Sequence, residues 1–313
     1  MSINAPFLRI GIRSSGMASW AMLMLMVPCT IYSILYHSPF IFQLIGYALL
    51  GMLAEAVFTL VVKRKRRLLN MGSGLTAALI AASVPPSMPF LPMLFAILIA
   101  ICMVKLPMVG LPLRFNAAMA GRLFLMMVYP SQVVNWGTPS ADVISCATPQ
   151  ELYKWEKTPL EYAEWLFGTI GGKWEDLYLL VPGSPCETFP LLMLLLGILL
   201  CWKGISPWRT PAAFLLSFGV TTALFGNAPL YNMLSAATLF SALFIISDPV
   251  STPMSKSGKI ACGIIIGVSN AMIRNYTFYT EAIVYAVLIG NLCAPLLDRI
   301  AFSAQGWNLN RRV

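Results

Sequence analysis

Histidine is almost missing from this chain. His37 is the only one, so neither a His-rich metal site nor a Ser-His-Asp triad can be assembled within it. The seven cysteines, Cys29, Cys102, Cys146, Cys186, Cys201, Cys262 and Cys293, form no C-x-x-C pair, which argues against an iron–sulfur ligand set of the usual spacing. Most read as small apolar fillers of helices. Charge is scarce too: charged residues make up 11% of the 313, against roughly 25% in a soluble domain. With 58% hydrophobic residues, that excludes a soluble enzyme, a disulfide-stapled secreted module and a disordered chain. Spanning helices of about 20 apolar residues would absorb most of the length as roughly ten passes through a bilayer.

The formal net charge of +9 is a topology signal rather than a nucleic-acid footprint, because no continuous basic face is visible. Asp142, Glu151, Glu156, Glu161, Glu164, Glu175, Asp176 and Glu187 put most of the acidic residues in one stretch. Apolar runs and their breakers give ten candidate spans, starting near Met17, Pro39, Gly72, Phe90, Phe115, Glu187, Thr210, Pro229, Lys259 and Tyr279. With a cytoplasmic N-terminus the inner loops collect Arg9, Arg13, the Lys63 to Arg67 run, Lys105, Arg114, Lys203, Arg209, Lys256, Lys259, Arg299, Arg311 and Arg312. The outer side keeps only Lys154, Lys157, Lys173 and Arg274. This positive-inside bias places both termini in the cytoplasm and the acidic segment outside. Cys146 and Cys186 both lie on that outer side and can pair, though nothing in their spacing demands it. Arg9 and Arg13 before an apolar run imitate a signal peptide, but further spans and no small-residue cleavage site favour a retained first helix.

An internal echo pairs the third span with the eighth. Asn70, Met71, Ser73 and Thr76 spell N-M-x-S-x-x-T, and so do Asn232, Met233, Ser235 and Thr238. Each copy is followed by S-x-P-x-S-x-P, at Ser83 to Pro89 and at Ser247 to Pro253. The first copy runs from inside to outside and the second from outside to inside. The fold expected is therefore an all-α polytopic membrane protein of about ten transmembrane helices, arranged as two inverted five-helix repeats. From Asn70 to Ser83 a helix rises only about 20 Å, short of a hydrocarbon core of roughly 30 Å, and the second copy is little longer. The third and eighth helices should therefore be broken at membrane depth. A duller alternative has these spans tilt and the Pro clusters form surface turns. The expected organisation is an interfacial segment at 1–16, a first repeat at 17–130, an extracytoplasmic loop at 131–186, a second repeat at 187–298 and a cytoplasmic tail at 299–313.

Ionisable groups inside a membrane are costly and default to function. Glu55 in the second span and Arg122 in the fifth are of this kind, and they can pair with one another. Asp248, inside the second S-x-P-x-S-x-P copy, suits either a helix-end cap or an ion ligand. All three are candidates for an ion pathway, and each also admits a purely structural reading.

On the outer segment Asp142, Ser145, Cys146, Ala147 and Thr148 spell D-x-x-S-C-A-T. This resembles the acceptor motif D-x-x-S-G-A-T, at whose threonine a flavin transferase attaches FMN through its phosphate, with cysteine here in the glycine position. The F-N-A-A-M-A-G of Phe115 to Gly121, the G-x-x-x-E-T of Gly183 to Thr188, the S-D-P-V-S-T-P-M of Ser247 to Met254 and the N-L-C-A-P-L-L-D of Asn291 to Asp298 resemble the family that comprises the D subunit of the Rnf complex and the B subunit of the sodium-pumping NADH:quinone oxidoreductase. The similarity runs from about Arg9 to Arg299, and the short N-terminus favours the Rnf side.

The resemblance implies a multi-pass flavoprotein of the bacterial inner membrane, one component of a ferredoxin:NAD oxidoreductase that couples electron transport to Na+ or H+ translocation. It implies FMN on Thr148, with Asp142, Ser145 and Ala147 shaping the attachment site, and a second, non-covalent flavin, riboflavin, in the bundle. Partners would be the other Rnf-type subunits, the flavin transferase during maturation, and the lipid bilayer. The competing class is a passive channel or carrier of urea-transporter-like architecture, for which a flavin acceptor motif has no obvious use.

Overall fold

The computed structural model describes residues 10–35, 37–62, 70–108, 113–134, 150, 153–154, 184–186, 189–235, 237–277, 279 and 281–304. Among these the regular structure is helical. Helices begin at Phe40, Met71, Phe90, Ala117, Pro190, Arg209, Pro229, Lys256 and Ile283, none further from its expected start than Ile283 is from Tyr279. The first starts earlier, at Ile10, so residues 10–16 are helical and continuous with the first span.

The opening pair shows how the chain divides its faces. Helix α1 (Ile10–Leu35) buries Ala18, Met22, Leu25, Cys29 and Tyr32, a stripe at three- and four-residue spacing, while Leu23, Val27 and Ile34 are exposed. In α2 (Phe40–Val61) Phe40, Leu44, Ala48, Met52, Glu55 and Thr59 turn inward, and Phe42, Leu49, Leu53, Val57 and Leu60 face outward. A soluble surface would not present such continuous leucine and phenylalanine; a lipid-facing one does. Gly16–Ile34, Phe40–Val61 and Ile283–Ser303 are the helices long and apolar enough to cross a membrane among the described residues. The other apolar helices, Met71–Ala82, Phe90–Lys105, Ala117–Val128 and Pro190–Trp202, are shorter.

That shortness has identifiable causes. Helix α3 (Met71–Ala82) is capped by the Asn70 side chain, which accepts from the Gly72 N–H at 3.0 Å, and it ends at Ser83 before Pro85 and Pro86. Its 12 residues rise about 18 Å. Helix α4 (Phe90–Leu98) continues as a π-helical stretch, Ile99–Lys105, that closes on a lysine. Helices α5 (Ala117–Val128) and α6 (Pro130–Val133) complete the first half.

The second half comprises α7 (Pro190–Trp202), α8 (Arg209–Leu224), α9 (Pro229–Leu234), α10 (Thr238–Phe240) with its π-helical continuation Ser241–Ile245, α11 (Lys256–Tyr276) and α12 (Ile283–Ala304). Here the expectation of a second element slightly longer than α3 is corrected: one helix ends at Leu234 and the next starts at Thr238, with Ala237 at a left-handed φ of 55°. Helices α8 and α11 pack closely through Gly263 and Gly267, one turn apart. A Cβ on Gly267 would lie 2.7 Å from the Phe214 carbonyl oxygen and 2.8 Å from the Phe218 nitrogen. Small residues let helix backbones approach in this way. Gly267→Ala is therefore expected to lower stability by about 1–3 kcal/mol, read by thermal unfolding in detergent.

Candidate functional site

Glu55 is 2% exposed on the face of α2 that meets the N-terminus of α3. That terminus supplies what a buried carboxylate needs, because its first N–H groups carry partial positive charge and its cap is a polar side chain. Asn70 Nδ2 donates to both Glu55 oxygens, at 3.0 and 3.1 Å, and the Ser73 hydroxyl donates to Oε2. Lys105, at the end of the π-helical stretch, donates from Nζ to Ser73 Oγ at 2.8 Å and to Thr76 Oγ1 at 3.5 Å. The first N-M-x-S-x-x-T copy thus places its Asn, Ser and Thr around one acid and one base. Asp248, just beyond the second π-helical stretch, lies within electrostatic reach of Lys105. Asp248 accepts from the Val250 N–H at 3.1 Å and the Ser251 hydroxyl at 3.0 Å.

The second copy builds a different cluster. Asn232 Oδ1 accepts from Gln150 Nε2 at 3.0 Å, and the Ser235 hydroxyl donates to Gln150 Oε1. Arg274 of α11 donates to the Asn232 carbonyl at 2.9 Å and to Thr238 Oγ1 at 3.1 Å, with its guanidinium 5.1 Å from the Phe218 ring centre. Lys154 donates to the carbonyls of Arg274, at 3.0 Å, and Thr277. Burial, reinforced by the Arg274 charge, pushes the Lys154 ammonium below the usual lysine range. Amide and hydroxyl oxygens stand here where the first cluster has carboxylates.

Glu55 and Arg122 do not pair. Arg122, fully buried on α5, meets Glu281 at the entry to α12, with NH2 2.5 Å from Oε2. Its Nε and NH1 make no hydrogen bond among the described residues. Removing one partner of a buried pair strands the other, so Arg122→Met is expected to destabilise the fold by about 3–5 kcal/mol, and the double variant Arg122→Met/Glu281→Met to recover most of that loss. Thermal unfolding of the two variants beside the wild type measures it.

Asp142, Ser145, Ala147 and Thr148 lie outside the described residues, as do Cys146 and Glu187. The chain just beyond Thr148 is described at Gln150, Tyr153 and Lys154. Gln150 sits in the second cluster; the Tyr153 hydroxyl accepts from the Ala228 N–H at 2.9 Å, and its ring lies 4.7 Å from that of Tyr231. Cys186 lies against Cys29 of α1, with 4.0 Å between sulfurs.

Asn116 caps α5 by accepting from the Met119 N–H at 3.1 Å, and its own N–H donates to Asn291 Oδ1 at 2.8 Å. Asn116 Nδ2 reaches the Ile245 carbonyl at 3.3 Å, and Asn291 Nδ2 the Ser251 carbonyl at 3.1 Å. Asp298 accepts from the Met254 and Ser255 N–H groups at 2.8 and 2.9 Å and from the Ser255 hydroxyl at 2.8 Å. Three motifs far apart in sequence are therefore stitched into one hydrogen-bonded centre. The model of the NQR2, RnfD, RnfE family matches residues 1–305. The chain belongs to that family.

Among known members of the NQR2, RnfD, RnfE family, the chain is 31% identical over 278 residues to the D subunit of the ion-translocating oxidoreductase complex of Actinobacillus succinogenes, covering 76% of this chain and 78% of that one. It is 27% identical over 295 residues to the D subunit of the proton-translocating ferredoxin:NAD(+) oxidoreductase complex of Clostridium ljungdahlii, covering 90% and 88%. With the Na(+)-translocating counterpart from Acetobacterium woodii it shares 30% over 248 residues, covering 78% and 76%. Relatives named for either ion are thus similar to this family member at comparable identity. Sequence reasoning missed Lys105, Glu281, Asn116, Asn291 and Arg274. Glu281 carried a readable signal, being one of few acidic residues outside the outer segment; Lys105 looked like an ordinary inner-loop cation.

Proposed function

We propose that the chain is the flavin-carrying membrane subunit of an electron-transport complex, one that couples electron transfer between ferredoxin and NAD to translocation of Na+ or H+. Membership of the family supports the redox-coupled role, and the Glu55 cluster is the observation that carries the ion half of it. A carboxylate at 2% exposure is expensive in a membrane and is kept where charge must pass. In this reading Glu55 and Asp248 line the cation path, while Arg122, matched by Glu281, fastens α5 to α12.

The fold is read as ten helices in two inverted halves, in the bacterial inner membrane with both termini cytoplasmic. The sixteen inner-loop cations support this orientation. The carboxylate-bearing first cluster then faces the cytoplasm, and the Arg274 and Lys154 cluster faces outward. That placement suits a phosphoester anchor at Thr148: the residue offers the hydroxyl, Gln150 pins the chain beside it, and the cations of Arg274 and Lys154 favour an anionic phosphate. Bound there, FMN supplies one- and two-electron chemistry. The protein's share is to hold the anchor still, screen its charge and keep it from diffusing away outside the membrane. Riboflavin as a second flavin, the flavin transferase and the remaining Rnf-type subunits belong to the same reading.

The assembled complex in proteoliposomes tests it. Ferredoxin oxidation in the presence of NAD should drive cation uptake that stops when either redox partner is withheld. Solute flux that needs no electron donor would instead support the passive-carrier class.

A further inference from the structure

Lys105 is the group in the first cluster to which the cation path assigns no role. Its ammonium makes no direct ion pair with Glu55: among the described residues the ion pair within 4.0 Å is Arg122 with Glu281. The Ser73 hydroxyl stands between them, donating to Glu55 and accepting from Lys105. Thr76 Oγ1 is oriented in the same sense, donating to the Gly72 carbonyl at 2.9 Å and turning a lone pair toward Nζ. An ammonium in such surroundings asks for what a sodium ion or a hydrated proton asks for, oxygen lone pairs and a nearby negative charge.

Lys105 lies within electrostatic reach of Glu55 in the first half and of Asp248 in the second. With both carboxyl groups ionised, one ammonium serves two carboxylates and leaves room for one further monovalent cation. The lysine side chain is long and unbranched, and it hangs from the end of a π-helical stretch, a geometry that departs from the regular helix and recurs at functional sites. Asp248 is itself held by the short-range Val250 and Ser251 bonds of its own turn.

We infer that Lys105 is a tethered cation that competes with the transported monovalent cation for the Glu55, Ser73 and Thr76 oxygens, and that Asp248 receives the ammonium when the mobile cation displaces it. The inference rests on the Glu55 and Asp248 path proposed above. Each displacement moves positive charge from one half of the bundle toward the other, which gives the bundle two states that the bound cation can bias.

The test uses the assembled complex. Lys105→Met removes the resident charge, so a mobile cation must take its place. The melting temperature of the solubilised complex should then rise by roughly 5 °C when that cation is raised from trace to saturating levels, while the wild type responds less. Two arms separate the sources: sodium chloride titrated against choline chloride at fixed alkaline pH, and pH titrated without sodium. A response in the first arm identifies Na+, and in the second H+. Redox-driven uptake by Lys105→Met should fall by about fivefold or more while electron transfer continues. A variant with wild-type uptake and no added cation response in either arm overturns the inference.

Glu55→Gln in the same vesicles keeps the two levels distinct. If it loses uptake while Lys105→Met behaves as wild type, the tethered-cation inference falls and the path stands. If Glu55→Gln also pumps normally, the path itself falls. Should Lys105→Met fail to assemble, Asp248→Asn is read instead, since it leaves Lys105 locked on Ser73. The cation concentration for half-maximal uptake should then rise by about tenfold, and an unchanged value overturns the inference.

Discussion

Thr148→Ala is expected to abolish covalent flavin: the denatured wild-type band, after co-expression with a flavin transferase, fluoresces under ultraviolet light, and the variant band is dark. The effect is all-or-none because a phosphoester needs a hydroxyl and alanine has none. It should leave the fold intact, since the segment's anchorage at Gln150, Tyr153 and Lys154 does not depend on that oxygen. Assembly of the complex, judged by co-purification of its subunits, should therefore survive, whereas electron transfer through it should not. A scaffold without redox work predicts the opposite, a complex that transfers electrons equally well with alanine there.

Glu55→Gln carries the second large effect. The substitution keeps the shape and one acceptor oxygen but removes the charge toward which Asn70, Ser73 and, through Ser73, Lys105 are turned. Hydrogen bonds to charged groups are worth about 1.5–3 kcal/mol, and a loss near the lower figure weakens cation binding by roughly tenfold. Cation uptake per electron transferred should fall by at least that factor at sub-saturating cation. Parallel records of redox rate and ion uptake in proteoliposomes check it. An equal fall in both would mean that the electron route was damaged, not the coupling.

Much of the architecture is legible in the sequence because local chemistry dictates it. Asn70 ahead of an apolar run and Ser83 before a Pro pair bound α3 correctly, and the same grammar places the helix starts at Phe90 and Pro229. The twin motifs are visible as text, but their structures diverge for tertiary reasons. In the first copy Asn70 caps a continuous helix. In the second, the Asn232 carbonyl accepts from Arg274, the helix ends at Leu234 and Ala237 takes a left-handed φ. Nothing local in the second copy announces a guanidinium forty-two residues away.

The pairing of buried charges is the least legible. Glu55 and Arg122 are the conspicuous intramembrane ions, and matching them is the economical reading of the sequence. The helix terminus at Met71 already satisfies Glu55 with an amide and a hydroxyl, leaving Arg122 to find Glu281 at the entry to another helix. Opposite charges in a sequence give no register between helices, so only the packing can assign the partners. The Asn116, Asn291 and Asp298 bonds belong to the same class: each lies in a motif that resembles the family, yet their convergence is a property of three dimensions.

The flavin anchor is the claim on which the redox reading depends most directly, and mass spectrometry of the proteolytic peptide spanning Ser145 to Lys154 tests it without an activity assay. From membranes of cells that also express a flavin transferase, the peptide should carry the mass of one FMN less one water, with fragment ions placing the addition on Thr148. An unmodified peptide, in a preparation where a known acceptor is modified, would contradict the account.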